Sequence, residues 1–305
     1  MPYHHYVSAF HLAEFTPERR REGRLFVFDV SRGRRFRSTA GGVGGQQRYN
    51  EVQGVEGLGP ESIERFLGPE YEIPAAPILR AVNNTGALPV GPDLTALLRY
   101  IALLSANNPS RRGAMNDAQE QALRFLAGGL LANPDEFSET QAELREAGVP
   151  VLGDADAGEL ARQLEADSFS YQMSSTDHVR GLGQLVESVA ALLSLRTWSL
   201  LIATEAPEFV IGDHPVSLHW KAEHHSPFPP GFAMPETEVL IPLSRRIGLL
   251  GVFGGESRRL VADTPVVAEA NRRILLRSRY VYSAVPEFTF AAGNQILSSE
   301  GRFSA

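Results

Sequence analysis

Cysteine is absent from the 305 residues. That absence removes disulfides, iron–sulfur clusters, thiolate zinc sites and cysteine nucleophiles together. It also agrees with a reducing compartment. Lysine is nearly absent: Lys221 stands alone, and the remaining strongly basic side chains are arginines. A Schiff-base mechanism needs a lysine amine, so only Lys221 could supply one. The Gly-Lys-Ser/Thr ending of a phosphate loop is missing, as are Gly-x-Gly-x-x-Gly, Gly-x-Ser-x-Gly and His-Glu-x-x-His. These gaps disfavour classical dinucleotide enzymes, ATPases, α/β-hydrolases and thermolysin-like proteases. No apolar run is long enough to span a bilayer. The opening MPYHHYVSAFHL lacks the basic start, apolar centre and small-residue cleavage site of a secretory signal, so the expectation is a cytoplasmic protein. A net charge of −7 gives no general attraction to nucleic acid or to anionic membranes, and the partner expected is a small-molecule substrate.

The hydrophobic share, 43%, is enough to bury a core in one large domain. Residues 24–30 and 34–39 read as two strands joined at Ser31-Arg32-Gly33. From Arg19 to Arg37 eight arginines meet two acids, Glu22 and Asp29, a basic patch on an acidic chain. It reads either as a solvated hairpin or as an anion-binding face centred on Arg32, Arg34, Arg35 and Arg37. Ala40–Gly45, AGGVGG, reads as a loop, since no lysine or helix follows to make a phosphate cradle. Helical patterns follow over 62–84, where Pro69, Pro74 and Pro77 should break or kink the run, and over 94–106, 117–131, 134–147, 157–166 and 177–195. Asp93 is the expected cap of the second.

Strands return at WSLLIATEAPEFVIGDHPVSLHW, Trp198 to Trp220, where two apolar runs flank a Thr-Glu-Ala-Pro turn and Gly212-Asp213-His214-Pro215 interrupts. Residues 238–243 and 247–253 form an antiparallel pair, and a helix (265–276) and a strand (280–283) follow. Strands first, helices in the middle and strands again predict an α+β fold. Its mostly antiparallel sheet is built from N-terminal and C-terminal strands around a large helical middle segment. The expected organisation is a single domain, 1–305, with a helical insertion at about 60–196.

The order of His4-His5-Tyr6-Val7, Phe10, Leu12, Phe15 and Tyr49-Asn50 resembles an uncharacterised bacterial family, domain of unknown function 4238. Glu64 with Glu72 before Ala75-Ala76-Pro77, Trp198 through Gly212-Asp213-x-Pro215, Pro242-Leu243-Ser244 and Asn271 extend the resemblance over most of the chain, thinning between about 113 and 175. Three departures stand out. The family usually has proline where Ser8 stands, often asparagine where His214 stands, and an arginine near Asn107. The resemblance implies no established activity.

Imidazoles serve as metal ligands or acid–base groups near neutral pH, and His5 is the favoured member of the His4-His5 pair. On an unbroken helix Glu64 and Glu72 would lie roughly 80° apart, two turns along, a spacing that suits a divalent ion or acid–base chemistry. Solvated helix charge is the competing reading. Asp213 follows a buried strand and a glycine, and can ligate a metal, orient a histidine or cap its own turn; Asp-x-Pro is good turn chemistry. His219, His224 and His225 fit no standard zinc spacing. The expected catalytic set is His5, Glu64, Asp213 and His214. His4, Tyr49, Asn50, Arg35 and Arg37 are assigned to substrate, and Glu64, Glu72 and Asp213 to a divalent metal ion. The expected function is metal-dependent hydrolysis of a phosphate-containing or nucleotide-like substrate. The alternatives are a non-catalytic ligand- or partner-binding protein, and a metal-free transferase or cyclase using a His/Asp acid–base set.

Overall fold

The computed structural model describes residues 3–52, 59–149, 151, 156–166, 174–204, 207–221 and 226–303. Two compact units emerge, one formed by Met1–Arg111 with Ser175–Ala305 and the other by Arg112–Ser174. The architecture is α+β, with mostly antiparallel sheets.

In the larger unit the first strand and helix are β1 (Tyr3–His5) and α1 (Ala9–Ala13). The arginine-rich hairpin is β2 (Arg24–Asp29) and β3 (Arg34–Thr39), followed by a 3-10 turn, Ala40–Gly42, and β4 (Gly45–Gln47). Then come α2 (Ser62–Leu67), a π turn (Gly68–Glu72), α3 (Ile73–Thr85) and α4 (Gly91–Ala106). The prolines act as expected, but locally. The run breaks into a π turn where Pro69 lacks an N–H, Pro74 sits harmlessly in the first turn of α3, and Pro77 is carried inside it. Gly86 ends α3 in the left-handed region (φ +60), its N–H bonded to the Val82 carbonyl. Helix α4 starts three residues earlier than its apolar pattern, because Pro92 is tolerated in the first turn; Asp93 is inside that turn, not the cap.

Asn107-Asn108-Pro109 both ends α4 and starts α5 (Pro109–Leu131), whose Arg111 N–H is taken by Asn108 Oδ1 at 2.9 Å. The smaller unit contains most of α5, then α6 (Pro134–Glu146) and α7 (Ala157–Glu165), capped by Asn133 and Asp156.

The larger unit resumes with α8 (Ser175–Arg180) and α9 (Leu182–Ser194). Strands β5 (Thr197–Ile202), β6 (Ile211–Gly212), β7 (Ser217–Trp220), β8 (Thr237–Pro242), β9 (Ile247–Val252) and β10 (Arg259–Val261) follow. Helix α10 (Thr264–Arg277), β11 (Tyr280–Ser283) and the hairpin β12 (Thr289–Ala292) and β13 (Gln295–Ser298) complete it. One sheet runs β10-β5-β9-β8-β7 and the other β3-β2-β11-β6, so N- and C-terminal strands do share a sheet. The stretch from Phe209 to Trp220 is not one continuous strand. It contributes two residues to the four-stranded sheet and then crosses to the edge of the five-stranded one.

Helices α4 and α9 supply much of the main core, with Leu97, Ile101, Leu104, Val186, Val189 and Leu193 buried together with strand residues Leu200 and Leu249. Trp198 is 2% exposed, its indole N–H donates to the Leu193 carbonyl at 3.1 Å, and its cross-strand partner is Gly251. A Cβ at Gly251 would lie 2.6 Å from the ring, so only glycine leaves room for the tryptophan. A second cluster joins Phe28, Phe288 and Phe303 to Ile274 of α10, with ring centroids about 5 Å apart and edge-to-face.

His11 on α1 is fully buried, with Nε2 3.0 Å from the Pro242 carbonyl and Nδ1 3.3 Å from the Tyr100 hydroxyl. Nε2 therefore carries the proton and donates. Burial pushes its pKa down to about 4, against a partial offset from the Pro242 hydrogen bond. A lowered folded pKa means that the unfolded chain takes up the proton first, so stability is lost as pH falls from about 6.5 toward 4. His11→Gln should lower the melting temperature near pH 7.5 and flatten its fall between pH 6.5 and 4.5. A melting curve of unchanged acid slope would assign the acid sensitivity elsewhere.

Candidate active-site cleft

Strand β1 pairs antiparallel with β4, opposing His4 to Gln46 and His5 to Gly45. The two-residue alternation of a strand turns His4 inward, 2% exposed, and puts Tyr3 and His5 on the other side, their rings edge-to-face at 5.1 Å. His4 Nδ1 accepts the Asn50 backbone N–H at 2.9 Å, which leaves the ring proton on Nε2. Glu64 Oε1 stands 4.0 Å from the same Nδ1, but a nitrogen already accepting a hydrogen bond carries no proton to share. The Glu64 carboxylate is held instead by Asn50 Nδ2 at 2.7 Å. Asn50 thus fixes His4 with its backbone and Glu64 with its side chain.

His5 is held by the Gly41 carbonyl, and its Nε2 is buried with no hydrogen-bond partner. Burial, then the nearby Arg21 charge, then His4 keep its pKa below the ordinary value, against the Gly41 bond. The imidazole is therefore neutral at physiological pH. Glu72, at the end of the π turn, accepts a hydrogen bond from the Ser8 hydroxyl. Its pKa is raised, first by burial and further by the Glu64 charge, with Ser8 opposing. In each glutamate one oxygen, Oε1, is positioned by a neighbouring donor, and the second oxygen is left for another partner.

His5, Ser8, Glu64 and Glu72 line a cleft of about 440 Å³ together with Glu14, Arg19, Arg20, Arg21 and Arg80. Arg19, strained at φ +51, is engaged by Glu14 at 2.7 Å and by Asn84 at 2.8 Å. Arg20, Arg21 and Arg80 have no carboxylate within 4 Å among the described residues, and all three are exposed. The chemistry on offer is a half-buried carboxyl that resists ionisation, a second carboxylate beside it, a neutral imidazole, and three guanidinium groups without a carboxylate partner lining the same cleft.

The structure thus brings together His4, His5, Asn50, Glu64 and Glu72. Asp213 is not among the residues lining the cleft. Its carboxylate accepts the backbone N–H groups of Arg279 at 3.0 Å and Tyr280 at 3.3 Å, remote amides at the start of β11 and not those of its own turn. The trio Glu64, Glu72 and Asp213 is corrected accordingly. Among the described residues no group of three or more histidine or acidic side chains could hold a metal by itself. His214 lies away from the cleft too; burial and the charges of Arg277 and Arg111 push its pKa down to about 4. Tyr49 is buried edge-to-face against Tyr6 and packs in the core.

The hairpin arginines are spent locally. Arg34 and Arg32 reach Asp29, Arg35 donates to the Pro286 carbonyl, and Arg37 stacks 4.5 Å over Phe26. Glu70 pairs with Arg99 at 2.5 Å. His219 is in β7, while His224 and His225 lie outside the described residues. Arg20, Arg21 and Arg80 went unassigned in the sequence. The first two belong to the basic run counted from Arg19, and Arg80 repeats the eight-residue interval that separates Glu64 from Glu72.

The family described as Protein of unknown function (DUF4238) matches residues 3–285, and the chain belongs to that family. No curated protein and no solved structure matches it. Among the described residues no helix is long and apolar enough to cross a membrane.

Asp213 is 3% exposed, and burial pushes its pKa from 3.8 up to about 6 against the pull of the Tyr280 and Arg279 amides. With a raised acid pKa the folded chain holds the extra proton, so stability declines as pH rises from about 4 through 6. This group's share is about 3 kcal/mol. Asp213→Asn should remove that component. The natural chain's melting temperature minus the variant's should therefore fall as pH rises from 4 to 7. A difference constant across that range would mean that Asp213 ionises normally in the fold.

Proposed function

We propose that the chain is a metal-dependent hydrolase of phosphate esters, with Glu64 and Glu72 as its two protein ligands to a divalent ion. The observation that supports it best is that two mutually repelling carboxyls, each oriented by a neutral donor, line one cleft together with three arginines that have no carboxylate partner. Carboxyls that repel each other are relieved by a proton or by a cation. Mg²⁺ is commonly held by one or two carboxylates, with waters and substrate phosphate oxygens completing its shell, so two protein ligands suffice.

In this reading Arg20, Arg21 and Arg80 receive the phosphate and offset its charge as the bond to the leaving oxygen breaks. A divalent ion held by Glu64 and Glu72 would supply the lowering of a water's pKa that phosphate-ester hydrolysis needs. His5, a neutral imidazole held by the Gly41 carbonyl, is the general-base candidate among the residues that line the cleft. The leaving alkoxide is protonated from solvent. Asp213 and His214 take no part.

Turnover of p-nitrophenyl phosphate and bis-p-nitrophenyl phosphate, with Mg²⁺ or Mn²⁺ and with chelator, tests this. Glu72→Gln should reduce kcat at least about 100-fold with an unchanged circular dichroism spectrum. Arg80→Ala should weaken inorganic phosphate binding about 10-fold. Because Glu72 holds its proton unusually well, Mn²⁺ affinity should rise with pH across the acid range until that proton is gone. Phosphate binding without turnover under every metal condition would replace the hydrolase by the binding-protein reading.

A further inference from the structure

A second hollow, of about 230 Å³, is lined by residues of the four-stranded sheet and by Gly42–Gly45 of the following loop. Its walls are mainly aromatic. Strands β3, β2 and β11 bring Phe36, Val27 and Tyr282 side by side in one cross-strand row, since Val27 opposes both of the others. Tyr280 joins from the same strand as Tyr282, and the β1–β4 ribbon closes the hollow with Tyr3 and Tyr6. No carboxylate or ammonium lines it; the polar groups at its edges are phenol hydroxyls, the Ser38 hydroxyl and glycine backbone. Flat walls with hydroxyl and peptide edges suit a planar ring that both donates and accepts hydrogen bonds.

The Ala40–Gly45 loop serves both hollows. Gly41 holds His5 and lies against Arg21 in the cleft, where an added Cβ would come 2.8 Å from the arginine side chain. The next residue, Gly42, accepts the Tyr3 hydroxyl of the second hollow at 3.4 Å. Tyr3 and His5, on one side of β1, touch ring to ring at 5.1 Å. Gly45 has to be glycine here, because a Cβ would fall 2.4 Å from the His4 carbonyl oxygen. An aromatic slot and an anion cleft therefore meet along one strand and one loop.

We infer that the second hollow binds the base of a nucleotide whose phosphate is held by Arg20, Arg21 and Arg80 in the cleft. The inference rests on the phosphate-ester reading above and narrows its substrate to a nucleoside phosphate. A small anionic molecule is also what an acidic chain can take in at a local cluster of arginines.

Calorimetric titration without added metal, using inorganic phosphate, the four nucleosides and the four nucleoside 5′-monophosphates, tests it. At least one monophosphate should bind about 10-fold or more tightly than inorganic phosphate. Phe36→Ala should erase that margin and leave phosphate binding unchanged; Phe36 is 41% exposed on its strand, so its loss does not hollow the core. Tyr3→Leu should do the same from the opposite wall. Arg80→Ala should weaken monophosphate and phosphate alike while leaving nucleoside binding unchanged. If phosphate binds but no monophosphate exceeds it, or if Phe36→Ala leaves the margin intact, the base site is overturned and the cleft reading survives. If nucleosides bind through Phe36 while phosphate does not bind, the base site stands and the phosphate-ester reading falls.

Discussion

One side-chain amide holds the passage between the two main sheets. Asn271, fully buried on α10, accepts the Val210 N–H through Oδ1 and donates through Nδ2 to the carbonyls of Glu208 and Thr289, each at 2.9 Å. Here the chain leaves the five-stranded sheet and enters the four-stranded one through a strand of only two residues. Buried peptide groups in such a crossing need partners, and each one left unmade costs about 1–3 kcal/mol. Asn271 serves the near side of β6, and the Asp213 carboxylate serves the far side through the Arg279 and Tyr280 amides. With these two side chains so placed, β6 keeps its position beside β11, and β11 carries β2 and the rest of that sheet.

That constraint also explains where the sequence was readable and where it was not. The period of 3.6 placed α4 and α9, and the antiparallel pair β8–β9 was visible from its apolar runs and intervening turn. The strand segregation gave the α+β class. What could not be read was that Phe209–Trp220 serves two sheets, because period-two alternation passes through Asp213 without marking a change of neighbour. Asp213 consequently looked like a ligand of the same kind as Glu64 and Glu72. Its Asp-x-Pro setting pointed to a cap on its own turn, whereas the amides it holds, those of Arg279 and Tyr280, lie more than sixty residues away and leave no mark on the local sequence.

Within the cleft the pattern is similar. His5, Glu64 and Glu72 were legible as residue types that carry reactions, and Asn50 through its place beside Tyr49 in the family resemblance. The arginines were counted in the right run but assigned to its wrong end. The hairpin arginines find Asp29, a carbonyl and the Phe26 ring close by. Arg20 and Arg21, more than ten residues earlier, line the same cleft as the two glutamates. Distance along the chain says nothing of which guanidinium has a carboxylate waiting for it, and Arg80 comes from a different helix altogether.

The sheet order has a consequence in time. Strand β2 lies between β3, its hairpin partner, and β11, which is made almost at the end of the chain. During synthesis the β2–β3 hairpin emerges early with one long edge unpaired, and Phe28 without Phe288 or Phe303 to cover it. Pairings between such remote segments close slowly, and an open strand edge is where a nascent chain attracts others like it. Arginines along β3 keep charge beside that hairpin throughout the wait. Charge on an exposed strand opposes its edge-to-edge pairing with another copy.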